Sequence, residues 1–115
     1  MKKLLLLTIA AMISLTASAQ SYSITGTLKD TANAPLSFTS VFLLLPSDSS
    51  LVTFSRADEN GNFVFKNIKK QNYLLKATFV GFLPLQEFIK YDPAILNREL
   101  GDIVLKPIQK ELFEV

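Results

Sequence analysis

Residues 58–65 read Asp-Glu-Asn-Gly-Asn-Phe-Val-Phe and carry the clearest local structural signal in this 115-residue chain. An Asn-Gly pair supplies the positive φ angles that a tight turn between two strands requires. Phe63 and Phe65 are two positions apart, so both rings point to the same face of the strand that follows the turn. The stretch therefore predicts a hairpin whose two strands, the third and fourth of the chain, are antiparallel neighbours.

Apolar and polar side chains alternate upstream of this turn. Residues 21–28 place Tyr22 and Ile24 on one face and hydroxyl groups on the other, which predicts a first strand with one wet face. Residues 41–45 are apolar on both faces and predict a second, more deeply buried strand. Aromatic and β-branched residues are common in residues 51–56, which predict a third strand.

Further strands are expected downstream of the turn. Residues 73–79 and 82–89 predict the fifth and sixth strands. Residues 100–106 predict a seventh strand with Ile103 and Leu105 pointing inward. Seven short strands without a long helical period favour a two-sheet antiparallel sandwich over an α/β fold, so the sequence indicates the all-β class.

The first nineteen residues are predicted to be a secretory signal peptide that lies outside the fold. Lys2 and Lys3 precede an apolar run at residues 4–15, and Ala17-Ser18-Ala19 offers small side chains to a signal peptidase. The apolar run is too short to cross a hydrocarbon core about 30 Å thick, which disfavours the alternative of an uncleaved anchor. Cleavage before Gln20 and export are therefore expected.

The composition excludes several kinds of chemistry. The chain has no Cys, His or Trp, so it offers no thiolate nucleophile, imidazole base or Cys/His zinc site. Removing Lys2 and Lys3 from the 12 basic side chains leaves 10, which equals the number of acidic side chains and gives zero formal charge. No basic stripe remains for nucleic acid, and no acid, base or nucleophile converges by spacing. We predict no enzymatic activity, no cofactor and no nucleic-acid partner.

Two groups of side chains allow more than one interpretation. The oxygen atoms of residues 58–62 could bind Ca²⁺, but the alternating Asp ladder and distant Glu of a calcium loop are missing, which favours a plain turn. Several aromatic residues could form a sugar-stacking platform, but their inward alternation favours core packing. They are Phe63, Phe65, Tyr73 and Phe79.

The last residues of the sequence supply candidate partner contacts. Leu112, Phe113, Glu114 and Val115 follow the last predicted strand, and no packing partner for them is evident in the sequence. An apolar segment of this kind could dock on another domain or add as a strand to the edge of a partner's sheet. The alternative is a tail that has no partner.

Residues 22–106 resemble the carboxypeptidase regulatory-like domain over nearly the whole exported chain. The resemblance rests on the order of its motifs, which are residues 24–28 (Ile-Thr-Gly-Thr-Leu) with 35–36, residues 48–52, residues 58–65 with 67–68, residues 73–75 with 80–82, and residues 100–107. It implies a transthyretin-like (prealbumin-like) Greek-key sandwich with a carbohydrate-binding-like fold over residues 20–107. It implies no catalytic residue, because the zinc ligands and base of carboxypeptidases lie in a separate catalytic domain.

Residues 108–115 resemble the segment that links such a domain to the plug or barrel of TonB-dependent-receptor-type outer-membrane proteins. This implies a non-catalytic periplasmic accessory domain, a spacer or docking module at the periplasmic face of the outer membrane. Its expected partner is that plug or barrel, or an associated envelope protein, and only a barrel absent from these residues would meet the membrane. The alternative is a stand-alone secreted module that binds carbohydrate or protein through a sheet face or the loops around Leu36 and Gly81.

Overall fold

The structure is a computed structural model that describes residues 21–108. The predicted signal peptide, residues 1–19, lies outside the described residues. All seven predicted strands are present, and between residues 21 and 108 no helix is long and apolar enough to span a membrane. The strands are β1 Tyr22–Lys29, β2 Ser40–Leu44, β3 Leu51–Arg56, β4 Asn62–Ile68, β5 Tyr73–Thr78, β6 Leu85–Ile89 and β7 Asn97–Val104.

The strands form two sheets, as the alternation predicted. The three-stranded sheet has the order β4-β1-β7, and the four-stranded sheet has the order β3-β2-β5-β6. Four of the five strand pairs are antiparallel, but β1 and β7 are parallel, so the expectation of an antiparallel arrangement throughout is wrong at this pair. No short turn joins the first strand to the last, so no turn fixes their relative direction. The Greek-key description stays a prediction.

The predicted hairpin between the third and fourth strands is also wrong. β3 lies at the edge of the four-stranded sheet and β4 at the edge of the three-stranded sheet, so the turn at residues 58–62 passes from one sheet to the other. Ala57 N donates to Thr39 O at 2.9 Å beside β2, and Leu28 N donates to Gly61 O at 2.8 Å beside β1. These two bonds fasten the two ends of the turn to different sheets.

The core lies between the inner faces of the two sheets. Phe63 and Phe65 are 3% and 4% exposed, and Ile103 and Leu105 are 5% and 1% exposed, which confirms that these four side chains point inward. The other members of the core are Tyr22, Ile24, Leu28, Leu36, Val41, Leu43, Ala57, Tyr73, Leu75, Ala77 and Ile89. Phe79 is only partly buried and packs against this cluster. The sandwich therefore buries its apolar surface without a cysteine.

Candidate functional site

The outer surface of the four-stranded sheet carries an apolar patch. Residues directly opposite each other in a sheet share a face, and Phe42 lies opposite both Phe54 of β3 and Lys76 of β5. We call this surface the aromatic face, and its apolar members are Phe42, Leu44, Leu51, Phe54, Leu74 and Phe88. The face thus crosses all four strands of the sheet.

Three side chains of the aromatic face are largely exposed. Phe54 is 68% exposed, Leu51 57% and Phe88 56%. The ring centroids of Phe42 and Phe54 are 6.5 Å apart, so these two rings form one tilted pair across neighbouring strands. A contiguous exposed patch of this kind on a small domain is typical of a surface that contacts another molecule.

The charged residues that the strand registers place on the aromatic face are both basic. Arg56 lies opposite Ser40, and Lys76 lies opposite Phe42 and Gln86. The Arg56 guanidinium carbon is 4.9 Å from the centroid of the Phe38 ring, which is a cation–π geometry. The aromatic face therefore combines apolar side chains with positive charge.

The outer surface of the three-stranded sheet is polar by contrast, as the hydroxyl-bearing face of the first strand predicted. Ser23 Oγ donates to Asn97 Oδ1 at 2.8 Å, and Thr27 Oγ1 donates to Asn62 Oδ1 at 2.6 Å. Lys29 and Asp102 form a salt bridge at 3.3 Å. Exposed polar pairs suit a sheet face that stays in water. The two outer faces of the sandwich therefore differ in chemistry.

Side-chain oxygen atoms of the turn at residues 58–62 accept hydrogen bonds from within the protein. Asp58 Oδ1 accepts hydrogen bonds from the amides of Asn60 and Asn62, each at 2.9 Å. The Asn62 side-chain oxygen accepts the bond from Thr27 already described. The residues in the described part of the chain contain no group of three acidic side chains that could hold a metal. These contacts favour the turn interpretation over a calcium loop.

A tyrosine cluster lies at one end of the core. Tyr22 stacks on Tyr73 with centroids 6.4 Å apart and meets the edge of Tyr91 at 5.1 Å. Burial raises the pKa of both Tyr22 and Tyr73 above the ordinary phenol value. Tyr73 Oη donates to Lys69 O at 2.7 Å, whereas Tyr22 Oη and Arg98 Nε are buried without a hydrogen-bond partner among the described residues. Because burial raises the pKa of Tyr22 and Tyr73, these two phenols stay protonated at neutral pH and are unsuited to act as bases there.

The predicted contact residues Leu112, Phe113, Glu114 and Val115 lie outside the described residues. The described chain reaches Ile108, whose amide donates to Gly81 O at 2.9 Å, so this end of the domain lies at the turn between β5 and β6. Of the two loops proposed for ligands, the one at Leu36 is anchored by a core side chain that is 6% exposed. Gly81 is exposed and stands beside Val80, which is 94% exposed.

Sequence reasoning missed the aromatic face. Its signal was present in β2, where Phe42 and Leu44 alternate with the core residues Val41 and Leu43. A strand that is apolar on both faces is either covered on both sides or offers one face to a partner. Among the described residues, Leu44 of this face is only 9% exposed, but Leu51, Phe54 and Phe88 stay largely exposed.

Comparison with protein families matches the carboxypeptidase regulatory-like domain over residues 23–94. The chain belongs to this family. Comparison with curated proteins finds no match.

Solved structures share the fold at low sequence identity. The major pilin subunit BcpA of Bacillus cereus matches 77% of this chain and 31% of its own, with a TM-score of 0.61 and 16% identity. The pilus 2b backbone protein of group B streptococcus matches 85% of this chain and 45% of its own, with a TM-score of 0.64 and 13% identity. The chain therefore spans less than half the length of either pilus protein.

An enzyme also contains a related sandwich. The 3-chlorocatechol 1,2-dioxygenase of Rhodococcus opacus 1CP matches 79% of this chain and 61% of its own, with a TM-score of 0.52 and 14% identity. The fold thus occurs both in pilus proteins and in an enzyme, so the fold alone assigns no activity.

Proposed function

We propose that this chain is a non-catalytic accessory domain of an exported outer-membrane protein of the TonB-dependent-receptor type. It acts in the periplasm as a docking module, and residues 108–115 link it to a plug or barrel. The observation that carries the docking role is the aromatic face, because the opposite outer face of the same sandwich is polar and internally hydrogen-bonded. A domain that served only as a spacer would need no such contrast.

The described residues favour binding over catalysis. The candidate acids of the turn at residues 58–62 are engaged in local hydrogen bonds or exposed, and burial raises the pKa of Tyr22 and Tyr73. General acid–base chemistry needs a positioned group with a pKa near the working pH. The aromatic face offers features that suit binding, namely exposed apolar area and the two cations Arg56 and Lys76.

The experiment places a photo-crosslinking amino acid at Phe88 in the natural full-length gene product, expressed in its own cells. We expect export, a mature N-terminus at Gln20, and crosslinks to plug or barrel residues encoded after Val115. A matched crosslinker at Val64, on the polar outer face and 42% exposed, should give few of these products. A coding sequence without a plug and barrel, or equal crosslinking from both sites, would contradict the receptor role and the docking face respectively.

A second candidate function is a stand-alone secreted module that binds carbohydrate or protein. The exposed rings of Phe54 and Phe88 favour it, since aromatic rings on a flat sheet can stack on sugars. Calorimetry of the exported chain against a panel of glycans would show heat of binding that Phe88→Ala removes. Absence of heat at millimolar glycan would eliminate the carbohydrate form of this function.

A further inference from the structure

The sandwich has four edge strands, which are β3 and β6 in one sheet and β4 and β7 in the other. An edge strand presents unpaired backbone groups that can pair with another chain, and proteins usually protect such edges with charges, prolines or bulges. The four edges of this domain differ in how they are protected. That difference identifies the edge that is open to pairing.

Three of the edges are protected. β6 follows Pro84 and carries Glu87 at its centre. β4 contains Lys66 and a register shift beside Asn67, which has a φ of 55°. β7 carries charged side chains along its length and a register shift beside a glycine with a φ of 71°.

β3 is the edge with the least protection. Its first five residues, Leu51 to Ser55, carry no charge and no proline. The irregularity in this strand is a bulge at Val52, where β3 has one residue more than β2. The edge is also accessible, because a groove of about 380 Å³ separates β3 from β4 along the side of the sandwich. A regular segment of residues 53–56 therefore remains, and its first three residues can pair symmetrically about Phe54.

We propose that β3 pairs with β3 of a second copy of this chain, in an antiparallel arrangement with Phe54 opposite Phe54 of the second copy. This pairing joins two four-stranded sheets into one eight-stranded sheet. The contact is made by backbone groups at the β3 edge, although Phe54 also belongs to the aromatic face. Dimerisation of the exported chain can be measured whether or not the accessory role proposed above is correct.

The register follows from the alternation of side chains. Directly opposite residues must share a face, and Phe54 points outward whereas Thr53 and Ser55 lie on the inner side of β3. A two-fold axis at Phe54 sets Thr53 opposite Ser55 of the second copy, so every pair matches in face. The same axis continues the Phe42–Phe54 ring pair, whose centroids are 6.5 Å apart, into a row of four rings.

Charge favours a second copy as the occupant of this edge. With Phe54 on the axis, Arg56 lies opposite Val52 of the second copy, and the two arginines are separated by four residue steps of about 3.3 Å each. No like charges therefore face each other directly. The segment Leu51 to Ser55 carries no charge that could attract a charged strand of another protein. A second β3 has the same hydrophobicity and the same alternation of side chains.

Association through the aromatic faces themselves is disfavoured. Lys76 lies on β5 near the middle of that face, and Arg56 is on the same face. Two copies stacked face to face would bring these like charges together, which is unfavourable when water is excluded. The edge therefore remains the contact for a second copy. A short edge contact lies at the small end of protein interfaces, so the dimer should be weak and should form only at high protein concentration.

The experiment is sedimentation velocity on the chain purified after export, at concentrations up to about 1 mM. Wild type should dimerise as concentration rises. Phe54→Lys and Phe54→Glu should each raise the dissociation constant about tenfold or more, because like charges then face each other across the axis. Phe88→Lys is the matched control, since Phe88 is a similarly exposed phenylalanine of the same face on the other edge.

An equimolar mixture of the Lys and Glu variants of Phe54 should restore the dimer, because opposite charges then meet at the axis. Circular dichroism checks that each variant is folded, and amide hydrogen exchange at residues 53–55 of the wild type should slow as concentration rises. A wild type that stays monomeric at about 1 mM overturns the proposal. So does an equal effect of Phe88→Lys, or a mixture that fails to associate.

Discussion

Gly61 holds the turn between the two sheets at a φ of 79°, a conformation that side chains other than glycine rarely adopt. A β-carbon at this position would also meet the backbone carbonyl oxygen of Leu28, which cannot move without disturbing β1. Gly61→Ala should lower the free energy of unfolding by about 2–4 kcal/mol. Urea titration measures the change.

Gly101 provides the matched control for this effect. Its φ is 71°, but a β-carbon there would meet no atom within 4 Å. Gly101→Ala should therefore cost only the backbone strain, about 1 kcal/mol. If Gly61→Ala and Gly101→Ala lower the free energy of unfolding equally, the close approach of Leu28 to residue 61 adds nothing to the cost of the substitution.

Tyr22 and Tyr73 are neighbours with opposite hydrogen bonding. Tyr73 Oη donates to Lys69 O, whereas Tyr22 Oη is buried without a partner among the described residues. Tyr73→Phe should lower the free energy of unfolding by about 1 kcal/mol, because it removes a hydrogen bond. Tyr22→Phe should leave it unchanged or raise it by up to about 1 kcal/mol, because it removes an unpaired polar group. A larger loss at Tyr22 in urea titration would contradict this assignment.

The same two phenols make stability depend on alkaline pH. Burial raises the pKa of each folded phenol, so the unfolded chain releases these protons first, near about pH 10. Their contribution to stability is complete below that pH and is lost as pH rises toward the folded pKa. The urea midpoint should fall above about pH 10, and it should fall less in the Tyr22→Phe variant. If the urea midpoint falls equally with pH in the wild type and in the Tyr22→Phe variant, the role of Tyr22 is contradicted.

The positions of the strands were the feature that the sequence predicted best. Period-two alternation located all seven strands, although β6 begins at Leu85 where residue 82 was predicted, and β7 begins at Asn97 where residue 100 was predicted. Alternation reports which side chains point inward, and it does not report which strand lies alongside which. An Asn-Gly turn reverses the chain, but it does not fix which sheet receives the next strand, and in the structure β4 pairs with β1.

The candidate site was less predictable than the strands for a related reason. Residues 41–45 have apolar side chains on both faces of the strand, which predicts that the strand is buried. The pattern does not show whether both faces are covered. Only the sheet order reveals that Phe42 lies between Phe54 and Lys76 on one outer surface of the sheet. The surface is formed by two pairs of consecutive strands, β2–β3 and β5–β6, with β4 of the other sheet between them in the chain, so it leaves no contiguous motif.

Phe65 tests the facing of β4. Its ring is 4% exposed and meets the edge of Phe63 at a centroid distance of 5.9 Å. Phe65→Ala should lower the free energy of unfolding by about 3–5 kcal/mol, because it leaves a cavity between the sheets. Phe88→Ala, at a ring that is 56% exposed, should cost less than about 1 kcal/mol. A loss below about 1 kcal/mol at Phe65 in urea titration would contradict its position in the core.

The whole molecule is a sandwich whose two outer surfaces differ in chemistry. One outer face satisfies its polar groups internally through pairs such as Ser23 with Asn97, and the other exposes aromatic rings beside Lys76. Folding alone would favour polar residues on both outer faces. The cost in solubility of an exposed aromatic face is explained if that face is covered in the assembled protein.

The last strand, β7, is predicted to be necessary for the stability of the whole domain. The family match ends at Ala94, yet β7 begins at Asn97 and pairs in parallel with β1, the central strand of its sheet. A chain that ends at Ala94 would lose this pairing and the buried side chains of Ile103 and Leu105. Burial of two such side chains contributes about 3–6 kcal/mol, which is a large share of the roughly 5–15 kcal/mol that stabilises a small domain.

We therefore expect the chain that ends at Ala94 to lack a cooperative unfolding transition, whereas the chain that ends at Ile108 unfolds in one step. Circular dichroism during urea titration compares the two, because cooperativity depends on an intact core. A chain ending at Ala94 that unfolds cooperatively, with the slope of the longer chain, would mean that β1 and β4 are stable without their parallel neighbour. In that case β7 would be an addition to the domain and not the strand that completes it.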